Sequence, residues 1–376
     1  MDRYLHIIAL NVPYPANYGG IIDIYYKIKA LHAIGIKIFL HCFEYERPPA
    51  KELNELCEEV YYYKRRTGWM TNLSLLPYNV YSRKHPELMK NLLMNDYPIL
   101  FEGLHSCYYM NDKRLSGRFK VYRESNIEHD YYRMLAQSCP EVLKKVFFRI
   151  ESWRFKRYQQ VIRYADLTLT VSMADTDYLR KEFPGKRIEF MTSFHPNDKV
   201  IATPGQSDFI LYHGKLSVVE NEQAALYLIK HVFSRLNCTC IVAGMEPSVR
   251  LRNAIALYRN IKLEANPPEE KMQALIREAQ IHLLVTFQDT GLKLKLLNSL
   301  FAGRHIVVNK MMLTGSGLDP LCHIADTPEE MIPACNRLLA EPFTQEEVDE
   351  RMRYLIPAYS NNHQGERLTQ LIYGEK

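Results

Sequence analysis

The sequence predicts an α/β protein built from two successive doubly wound domains. Short apolar runs alternate with longer segments of helical periodicity, which is the pattern of parallel α/β folds. The chain has 376 residues, more than one hydrophobic core usually serves. A polar stretch without apolar periodicity, residues 197–208, contains proline and glycine and divides the chain near its middle. We therefore predict a linker between two domains of similar size.

The composition is that of an ordinary soluble globular protein. Hydrophobic residues make up 47%, charged residues 24%, and the formal net charge is +5. This mild excess of cations suits an anionic ligand or a membrane surface, but no nucleic-acid-binding motif accompanies it, so we expect no nucleic acid partner. The first apolar run carries His6 and leads into a proline, which indicates a strand rather than a signal peptide. We expect a cytoplasmic protein.

Seven candidate strands lie in the first half of the chain. They are YLHIIAL, KIFLHCF, EVYYY, PILFEGL, FKVYRES, ADLTLTVS and RIEFMTSF. The helix after the first strand ends at Gly35, and its apolar residues share one face. A second long pattern, from about Glu141 to Tyr164, is helical, basic and aromatic.

The second half repeats the alternation. Its candidate strands are FILYHG, CTCIVAG, NIKLEAN, IHLLVTF and HIVVN, and its candidate helices are ENEQAALYLIKHVFSRL, PEEKMQALIREAQ and TGLKLKLLNSLFAG. Doubly wound domains bind ligands beyond the carboxyl ends of their strands, so we expect the two domains to face each other across a cleft. The C-terminal segment 356–376 is a candidate to pack back on the first domain.

Two strand-to-helix turns are candidate anion sites. The helix that opens at Gly291 carries Lys293 and Lys295 near its N-terminus, where the helix dipole disfavours cations unless an anion lies between them and the N–H groups. In the first turn, NVPYPANYGG, Gly19 and Gly20 would let backbone N–H groups approach an oxyanion, and a plain tight turn is the alternative. No GxGxxG follows a strand, which disfavours a nicotinamide or flavin enzyme.

These motifs resemble the group 1, family 4-like, retaining glycosyltransferases of GT-B fold. The resemblance rests on PxxxxGG with LHAIGIKIFLHCF, on SNIEHDYYRML and ADLTLTVSMADTDYL, and on YHGKLSVVENEQAALYLI and TGLKLKLLNSLFAGRHIVVN. It implies two Rossmann-like doubly wound domains, an acceptor-binding domain (1–197) and a nucleotide-sugar donor-binding domain (205–355). It also implies a metal-independent hexosyltransferase that takes the nucleotide-sugar as a substrate and needs no cofactor.

The resemblance further implies that the anion at the second-domain helix is the pyrophosphate of the donor. Its ligands would be Lys215, where relatives usually have arginine, the N–H groups around Gly291, and Lys295. Lys293 and Lys295 are two positions apart on a helix and cannot both point into the cleft. Lys295 is preferred because relatives commonly have a lysine at that place.

Two glutamates that many relatives carry at this helix are absent. The first, which contacts the transferred sugar, is replaced by Thr290, and the second, which contacts the ribose, is replaced by Asn298. Asp289 lies next to the first position and could substitute for it. The complete set of donor-binding candidates is Gly19, Gly20, Lys215, Asp289, Thr290, Gly291, Leu292, Lys295 and Asn298.

His105 and Glu102 are the candidate catalytic residues. His105 follows a strand at its carboxyl end, where active-site residues collect, and relatives often have a histidine or acidic residue there. Glu102, within the same apolar run, could act as a base or orient His105, and a satisfied core carboxylate is the alternative. We expect Glu128 to lie in the first turn of a helix capped by Ser125 or Asn126.

One further segment bears on the type of acceptor and on where in the cell the protein lies. Residues 144–163 combine seven cations with aromatic side chains and suit an anionic bilayer beside a lipid-linked acceptor. Under this interpretation the protein lies peripherally on the inner face of the membrane. The alternative is a core helix with a charged outer face.

The sequence therefore predicts a glycosyltransferase that moves a sugar from a nucleotide-sugar to a glycan or lipid-linked acceptor. Two alternatives stay open: a non-catalytic GT-B subunit or binding protein, which would explain the absent glutamates, and a sugar-nucleotide epimerase, which would need acid and base groups. No His, Cys or Asp cluster has metal-ligand spacing.

Overall fold

The chain forms two compact units. The computed structural model describes residues 2–68, 71, 74–288 and 294–374. Unit 1 comprises Met1–His195 and Asn361–Lys376, and unit 2 comprises Pro196–Ser360. The chain thus enters unit 2 just before the polar stretch 197–208 and returns to unit 1 through its last helix.

Unit 1 is built on a parallel sheet of seven strands, counted over the residues described. The strands are β1 (Arg3–Ile8), β2 (Ile36–Glu44), β3 (Glu59–Lys64), β4 (Ile99–Glu102), β5 (Lys120–Arg123), β6 (Leu167–Thr170) and β7 (Ile188–Phe190). Their order is β3-β2-β1-β4-β5-β6-β7, and every pairing is parallel. The seven strands predicted from the sequence are confirmed.

Helices cover both faces of this sheet. They are α1 (Gly19–Ala33), α2 (Tyr78–Tyr81), α3 (Pro86–Leu92), α4 (Glu128–Ser138), α5 (Val142–Tyr158), α6 (Met173–Glu182) and α14 (Asn361–Tyr373). Because successive strand residues point to opposite faces, Leu5 and Ile7 join the core beneath α1, whereas Ile8 and Phe101 join the core that contains Phe155 of α5.

Unit 2 repeats the architecture on a six-stranded parallel sheet, again counted over the described residues. Its strands are β8 (Phe209–Lys215), β9 (Thr239–Met245), β10 (Ile261–Ala265), β11 (Ile281–Leu284), β12 (His305–Val308) and β13 (His323–Ile324), in the order β10-β9-β8-β11-β12-β13. Its helices are α7 (Val219–His231), α8 (Val249–Ala256), α9 (Glu269–Glu278), α10 (Leu294–Ala302), α11 (Lys310–Leu313), α12 (Pro328–Ala340) and α13 (Gln345–Tyr359). The five predicted strands are confirmed, and the two-residue edge strand β13 was not predicted.

The strand order places one switch point in each sheet. In unit 1 the chain direction across the sheet reverses between β1 and β4, and in unit 2 it reverses between β8 and β11. Ligands of doubly wound folds bind beyond the carboxyl ends of the strands at this point. The residues that follow β1, β4, β8 and β11 therefore lie where a ligand of each unit would bind.

The C-terminal helix α14 completes unit 1. Gly365 of α14 packs closely on Ala30 of α1, since an added Cβ would lie 3.5 Å from the Cβ of Ala30. At its start, Asn361 accepts the N–H of His195 at 3.1 Å and donates to the carbonyl of the same residue at 2.6 Å. These paired hydrogen bonds anchor the point where the chain leaves unit 1 to the point where it returns.

A buried hydrogen-bond relay fixes α10 against the sheet of unit 2. Nε2 of His282 lies 2.9 Å from the carbonyl of Ile276, which can only accept, so Nε2 carries the proton. Nδ1 of His282 then accepts from the hydroxyl of Ser299 at 3.1 Å, and that hydroxyl accepts from Nε2 of His213 at 2.9 Å. Burial lowers the pKa of His282 to about 3 and that of His213 well below its usual value, so both rings are neutral.

The relay explains why a glycine follows α10. A Cβ on Gly303 would lie 2.1 Å from Nε2 of His282. We expect Gly303→Ala to displace this ring, break its bond to Ile276 and lower the free energy of unfolding by about 3 kcal/mol, measured by urea denaturation. Gly117, where an added Cβ has no atom within 4 Å, supplies the matched control, and Gly117→Ala should change stability by less than about 0.5 kcal/mol.

A double-mutant cycle separates the clash from any other effect of the methyl group. In a His282→Ala background the added methyl meets no ring, and Gly303→Ala should cost less than about 1 kcal/mol. The same cost in both backgrounds would contradict the explanation.

Candidate functional site

His105 lies at the switch point of unit 1. Strand β4 ends at Glu102, and Gly103 follows with φ +71°, a left-handed conformation that favours glycine. A Cβ on Gly103 would lie 3.7 Å from Nδ1 of His105 and 3.8 Å from the side chain of Leu10, which follows β1. The turn therefore brings the ends of β1 and β4 together beside the imidazole.

The imidazole of His105 is held between a carboxyl group and an aromatic ring. Its Nε2 lies 3.6 Å from Oε2 of Glu128, and its ring meets that of Phe155 edge to face, with centroids 5.4 Å apart. Burial, together with the positive charges of Arg83 and Arg65, holds the pKa of His105 well below its usual value. The imidazole is therefore neutral at pH 7.

Glu128 is the acidic partner of His105. Its side chain is buried, and desolvation raises its pKa to about 8 although the charge of Arg83 acts in the opposite direction. Glu128 is therefore mostly protonated at pH 7, and it places a carboxyl proton next to a neutral imidazole. Burial also raises the pKa of Glu124 well above its usual value.

Two sequence predictions about these carboxylates need correction. Glu128 lies in the first turn of its helix, as predicted, but the cap predicted at Ser125 or Asn126 is wrong, because α4 begins at Glu128 and its N-cap residue, Ile127, makes no side-chain cap hydrogen bond. The carboxyl of Glu128 turns into the protein, toward His105. Glu128, and not Glu102, is therefore the carboxyl group that lies beside His105.

Glu102 belongs instead to a buried charge network. Its Oε1 accepts from Nζ of Lys27 at 2.7 Å, and Lys27 also donates to Asp23 at 2.9 Å. Arg123 pairs with Asp23 from the other side, at 3.2 Å. All four side chains are at most 7% exposed, and two positive charges balance two negative ones. Glu102 is placed as a satisfied core carboxylate, the alternative that the sequence left open.

Two arginines near His105 escaped the sequence analysis. Arg83 is buried and donates to the carbonyl of Leu10 at 2.6 and 2.9 Å, and desolvation lowers its pKa to about 9. Arg65 donates to Asn79 at 2.9 Å and lies 4.5 Å from the ring centroid of Tyr45. Both guanidinium groups make the end of β1 electropositive. Nothing in the sequence around either residue distinguishes these two arginines from surface arginines.

Gly19 and Gly20 form the first turn of α1, as their spacing suggested. The N-cap residue Tyr18 makes no side-chain cap hydrogen bond, and an added Cβ on Gly20 would meet nothing within 4 Å. Arg47 fixes the preceding loop through the carbonyl of Val12 at 2.9 Å and the side chain of Asn17 at 2.9 Å. Whether the two glycines contact a donor stays a prediction.

In unit 2, Lys215 ends β8, and Lys295 of α10 contacts residues beside it. Nζ of Lys295 donates to Oδ1 of Asn221 at 2.6 Å and lies 5.1 Å over the ring of Tyr212. The amide of Asn221 in turn donates to the carbonyl of Lys215 at 3.0 Å. Nζ of Lys215 lies 3.6 Å from Glu246, and its side chain is 35% exposed. Asn221 thus connects the two predicted phosphate ligands.

Asn298 lies one turn further along α10. Its Oδ1 is buried and accepts no hydrogen bond within the described part of the chain. A buried carbonyl oxygen that lacks a donor is uncommon in proteins, and a ligand hydroxyl would satisfy it. The predicted ligands Asp289, Thr290, Gly291 and Leu292, like Lys293, lie outside the described residues.

Two kinds of feature are absent from the residues that the structure describes. No group of three or more His, Cys, Asp or Glu side chains has the arrangement of a metal site there. None of the helices described above is both long and apolar enough to cross a membrane.

Proteins of known structure share this two-domain architecture. No family model matches the sequence. An uncharacterized 44.6 kDa protein in the cps region of Klebsiella pneumoniae is 25% identical over 330 residues, which are 83% of this chain and 84% of that protein. A sucrose-phosphate synthase structure from Thermosynechococcus elongatus superposes with a TM-score of 0.71 at 13% identity, over 98% of both chains. The fold is GT-B.

Two further GT-B structures agree along the whole chain. Anabaena Alr3699/HepE, solved in complex with UDP and glucose, gives a TM-score of 0.66 at 11% identity and covers 100% of both chains. A trehalose-phosphate synthase from Burkholderia xenovorans, in complex with glucose-6-phosphate, gives 0.64 at 13% identity and covers 99% of this chain and 100% of that one. The predicted fold class, two Rossmann-like doubly wound domains, is confirmed.

The raised pKa of Glu128 predicts a pH-dependent stability. Because the folded pKa of about 8 exceeds the ordinary value of 4.5, the native state binds more protons between these values and loses stability as pH rises through them. Glu128→Gln removes this loss. Relative to wild type, we expect it to gain on the order of 2 kcal/mol in free energy of unfolding between pH 6 and pH 9.

Chemical denaturation across this pH range measures the effect. Glu124 lowers stability in the same direction, so the comparison is the difference between variant and wild type rather than the slope of either protein. Glu87→Gln, at a glutamate whose side chain is 58% exposed, is the matched control and should follow wild type. A constant difference between Glu128→Gln and wild type at all pH values would contradict the raised pKa.

Proposed function

We propose that this protein is a glycosyltransferase that moves a sugar from a nucleotide-sugar donor to a glycan or lipid-linked acceptor. The observation that carries the proposal is the placement of Lys215 and Lys295 at the switch point of unit 2, where Asn221 accepts from the ammonium group of Lys295 and donates to the backbone carbonyl of Lys215. Glycosyl transfer from a nucleotide-sugar releases a nucleoside diphosphate, and the growing charge on this leaving group must be stabilised. Lys215 and Lys295 supply two positive charges where a doubly wound domain binds its ligand.

The lysines suit a metal-independent mechanism. Cations and helix N-termini can stabilise a departing diphosphate without a bound metal ion. Lys295 is held by Asn221 and by the face of Tyr212, so its charge is already in position before the ligand binds. Retention of the anomeric configuration is proposed from the resemblance to the family 4-like enzymes.

Asn298 supports a nucleotide at the same site. Its unsatisfied Oδ1 would accept a hydrogen bond from a ribose hydroxyl, in the place where many relatives carry a glutamate. A neutral amide gives a weaker contact than a carboxylate, about 1 kcal/mol against 1.5–3. We therefore expect a donor that binds through its diphosphate more than through its ribose.

In unit 1 the proposal assigns acid–base chemistry to His105 and Glu128. The neutral imidazole of His105 can accept the proton of a sugar hydroxyl, and the imidazolium that forms is balanced when Glu128 releases its own proton to solvent and becomes a carboxylate. The electropositive arginines nearby suit an acceptor or donor that carries phosphate. The structures solved with UDP and glucose and with glucose-6-phosphate, both of the same fold, support substrates of this class.

Titration with a panel of nucleoside diphosphates tests the proposal directly. Binding of at least one nucleoside diphosphate, followed by slow hydrolysis of the matching nucleotide-sugar, would support the transferase. The absence of binding across the panel would favour a non-catalytic GT-B protein, which the replacement of both family glutamates also allows.

Lys215→Ala should weaken nucleoside diphosphate binding by about 30-fold, which corresponds to about 2 kcal/mol, because a charge-assisted contact is lost. Binding of the nucleoside alone should change little. Calorimetric titration measures both affinities. Lys230→Ala, at an exposed lysine of α7, removes the same charge away from the site and should leave both unchanged. Equal losses for the two ligands would show that Lys215 does not contact phosphate.

Chelation tests the role of metal ions. Because Lys215 and Lys295 provide the counter-charge in the proposed mechanism, we expect turnover to persist in excess EDTA. A radiolabelled-donor assay with and without EDTA measures this. Loss of turnover that manganese or magnesium restores would contradict metal independence and leave the proposed diphosphate ligands in place.

A further inference from the structure

The outer face of α5 is an exposed apolar stripe. Its members are large hydrophobic residues, each 44–86% exposed: Val142, Leu143, Val146, Ile150 and Trp153. At 3.6 residues per turn these five positions fall within an arc of about 100°. The helix therefore presents one continuous apolar face to its surroundings, which is uncommon for a surface helix of a globular protein. We call this face the α5 stripe.

Cations border the α5 stripe along one margin and at its C-terminal end. Helix α5 carries six Lys and Arg residues and one acid, Glu151, which is fully buried. The net charge of α5 is therefore +5, the same as the net charge of the whole chain. The charges of all other residues sum to zero. Lys145, Arg149 and Lys156 follow one margin of the stripe, and Arg157 packs 4.8 Å from the ring centroid of Trp153 at its end.

An open cavity of about 490 Å³ adjoins the stripe at Trp153. Arg133, Arg149 and Lys156 contribute three cations to its lining, and His129 contributes a ring whose buried Nδ1 makes no hydrogen bond within the described residues. Asp130 and Glu182 neutralise part of this charge through Arg133 and Lys156. The cavity thus offers polar ligands for an anionic headgroup next to an apolar surface.

The inner face of the same helix contacts the candidate site. Phe155 meets His105 edge to face, and Glu151 accepts the backbone N–H of Tyr78 at 2.8 Å. His105 and the α5 stripe thus lie on opposite sides of one helix, a separation of about 10 Å. Molecules in a surface that binds the stripe would therefore lie close to His105.

We infer that the α5 stripe docks on an anionic lipid bilayer. The apolar side chains enter the boundary between headgroups and acyl chains, and the surrounding cations contact lipid phosphates, with the cavity beside Trp153 taking one headgroup. A second copy of this chain is a poorer occupant, because two faces of net charge +5 would repel each other. A nucleic acid would neutralise the cations and leave the stripe exposed.

Docking gives the proposed acceptor a location. If the proposed function holds, a lipid-linked acceptor would reach unit 1 from the bilayer at α5, beside His105. This last step rests on the proposed function. Binding to the bilayer does not, because it is measured without any nucleotide or acceptor.

Sedimentation of the full chain with vesicles tests the inference. We expect at least 10-fold tighter binding to vesicles of 70% phosphatidylcholine and 30% phosphatidylglycerol than to pure phosphatidylcholine. High salt should weaken this binding because it screens the cations. A Trp69→Phe variant leaves Trp153 as the single tryptophan, and its emission should shift to shorter wavelength on vesicle binding.

Matched variants locate the binding surface. Leu143→Ser with Ile150→Ser removes two exposed members of the stripe and should weaken vesicle binding at least 10-fold. Val249→Ser with Leu257→Ser changes residues that are 73% and 78% exposed in unit 2 and should leave it unchanged. Circular dichroism and nucleoside diphosphate titration of both variants show that folding and the unit 2 site are intact.

Three results would overturn the inference. One is equal vesicle binding by the two double variants, and another is no binding of wild type to anionic vesicles. The third is a wild-type dimer in sedimentation velocity that Leu143→Ser with Ile150→Ser converts to a monomer, which would assign the stripe to a second copy. Loss of nucleoside diphosphate binding alone would count against the proposed function and not against docking.

Discussion

The buried charge network of Lys27, Glu102, Asp23 and Arg123 is the interaction on which unit 1 depends most. It joins α1 to the ends of β4 and β5. Asp23 also accepts the backbone N–H of Phe194 at 2.7 Å, and Arg123 donates to the carbonyls that follow β7. One network therefore fixes the helix of the glycine turn, the strand that leads to His105 and the exit of the chain toward unit 2.

Such a network is costly to desolvate and costly to break. Its four charges balance, and Lys27, Asp23 and Arg123 are each held by more than one contact, which offsets the loss of hydration. Loss of one partner would leave a buried charge uncompensated, a change that typically costs about 3–5 kcal/mol. The network therefore specifies one arrangement of α1 against the sheet. This arrangement in turn fixes the positions of the residues at the switch point.

The sequence predicted the fold more completely than the site. Strands of a parallel sheet form short apolar runs in the sequence, and twelve of them were predicted from these runs, whereas the two residues of β13 are too few to form a pattern. Side-chain partners depend on tertiary packing, which local spacing does not encode. Glu102 and Glu128 show this: Glu102 was a candidate partner of His105 but pairs with Lys27 of α1, whereas Glu128, predicted only in the first turn of a helix, lies beside His105. Arg83 gave no signal because only its tertiary contact with Leu10 makes it part of the site.

The return of α14 to unit 1 makes unit 2 an insertion within unit 1. During synthesis residues 196–360 all emerge before Asn361, so unit 2 has its complete sequence while unit 1 still lacks a helix. Until then the surface of α1 that receives Gly365 and Leu368 stays uncovered, and His195 lacks the two hydrogen bonds of Asn361. Domains generally fold as units, so the order of maturation runs against the order of the chain. The fold of unit 1, most of which is translated first, is therefore completed last.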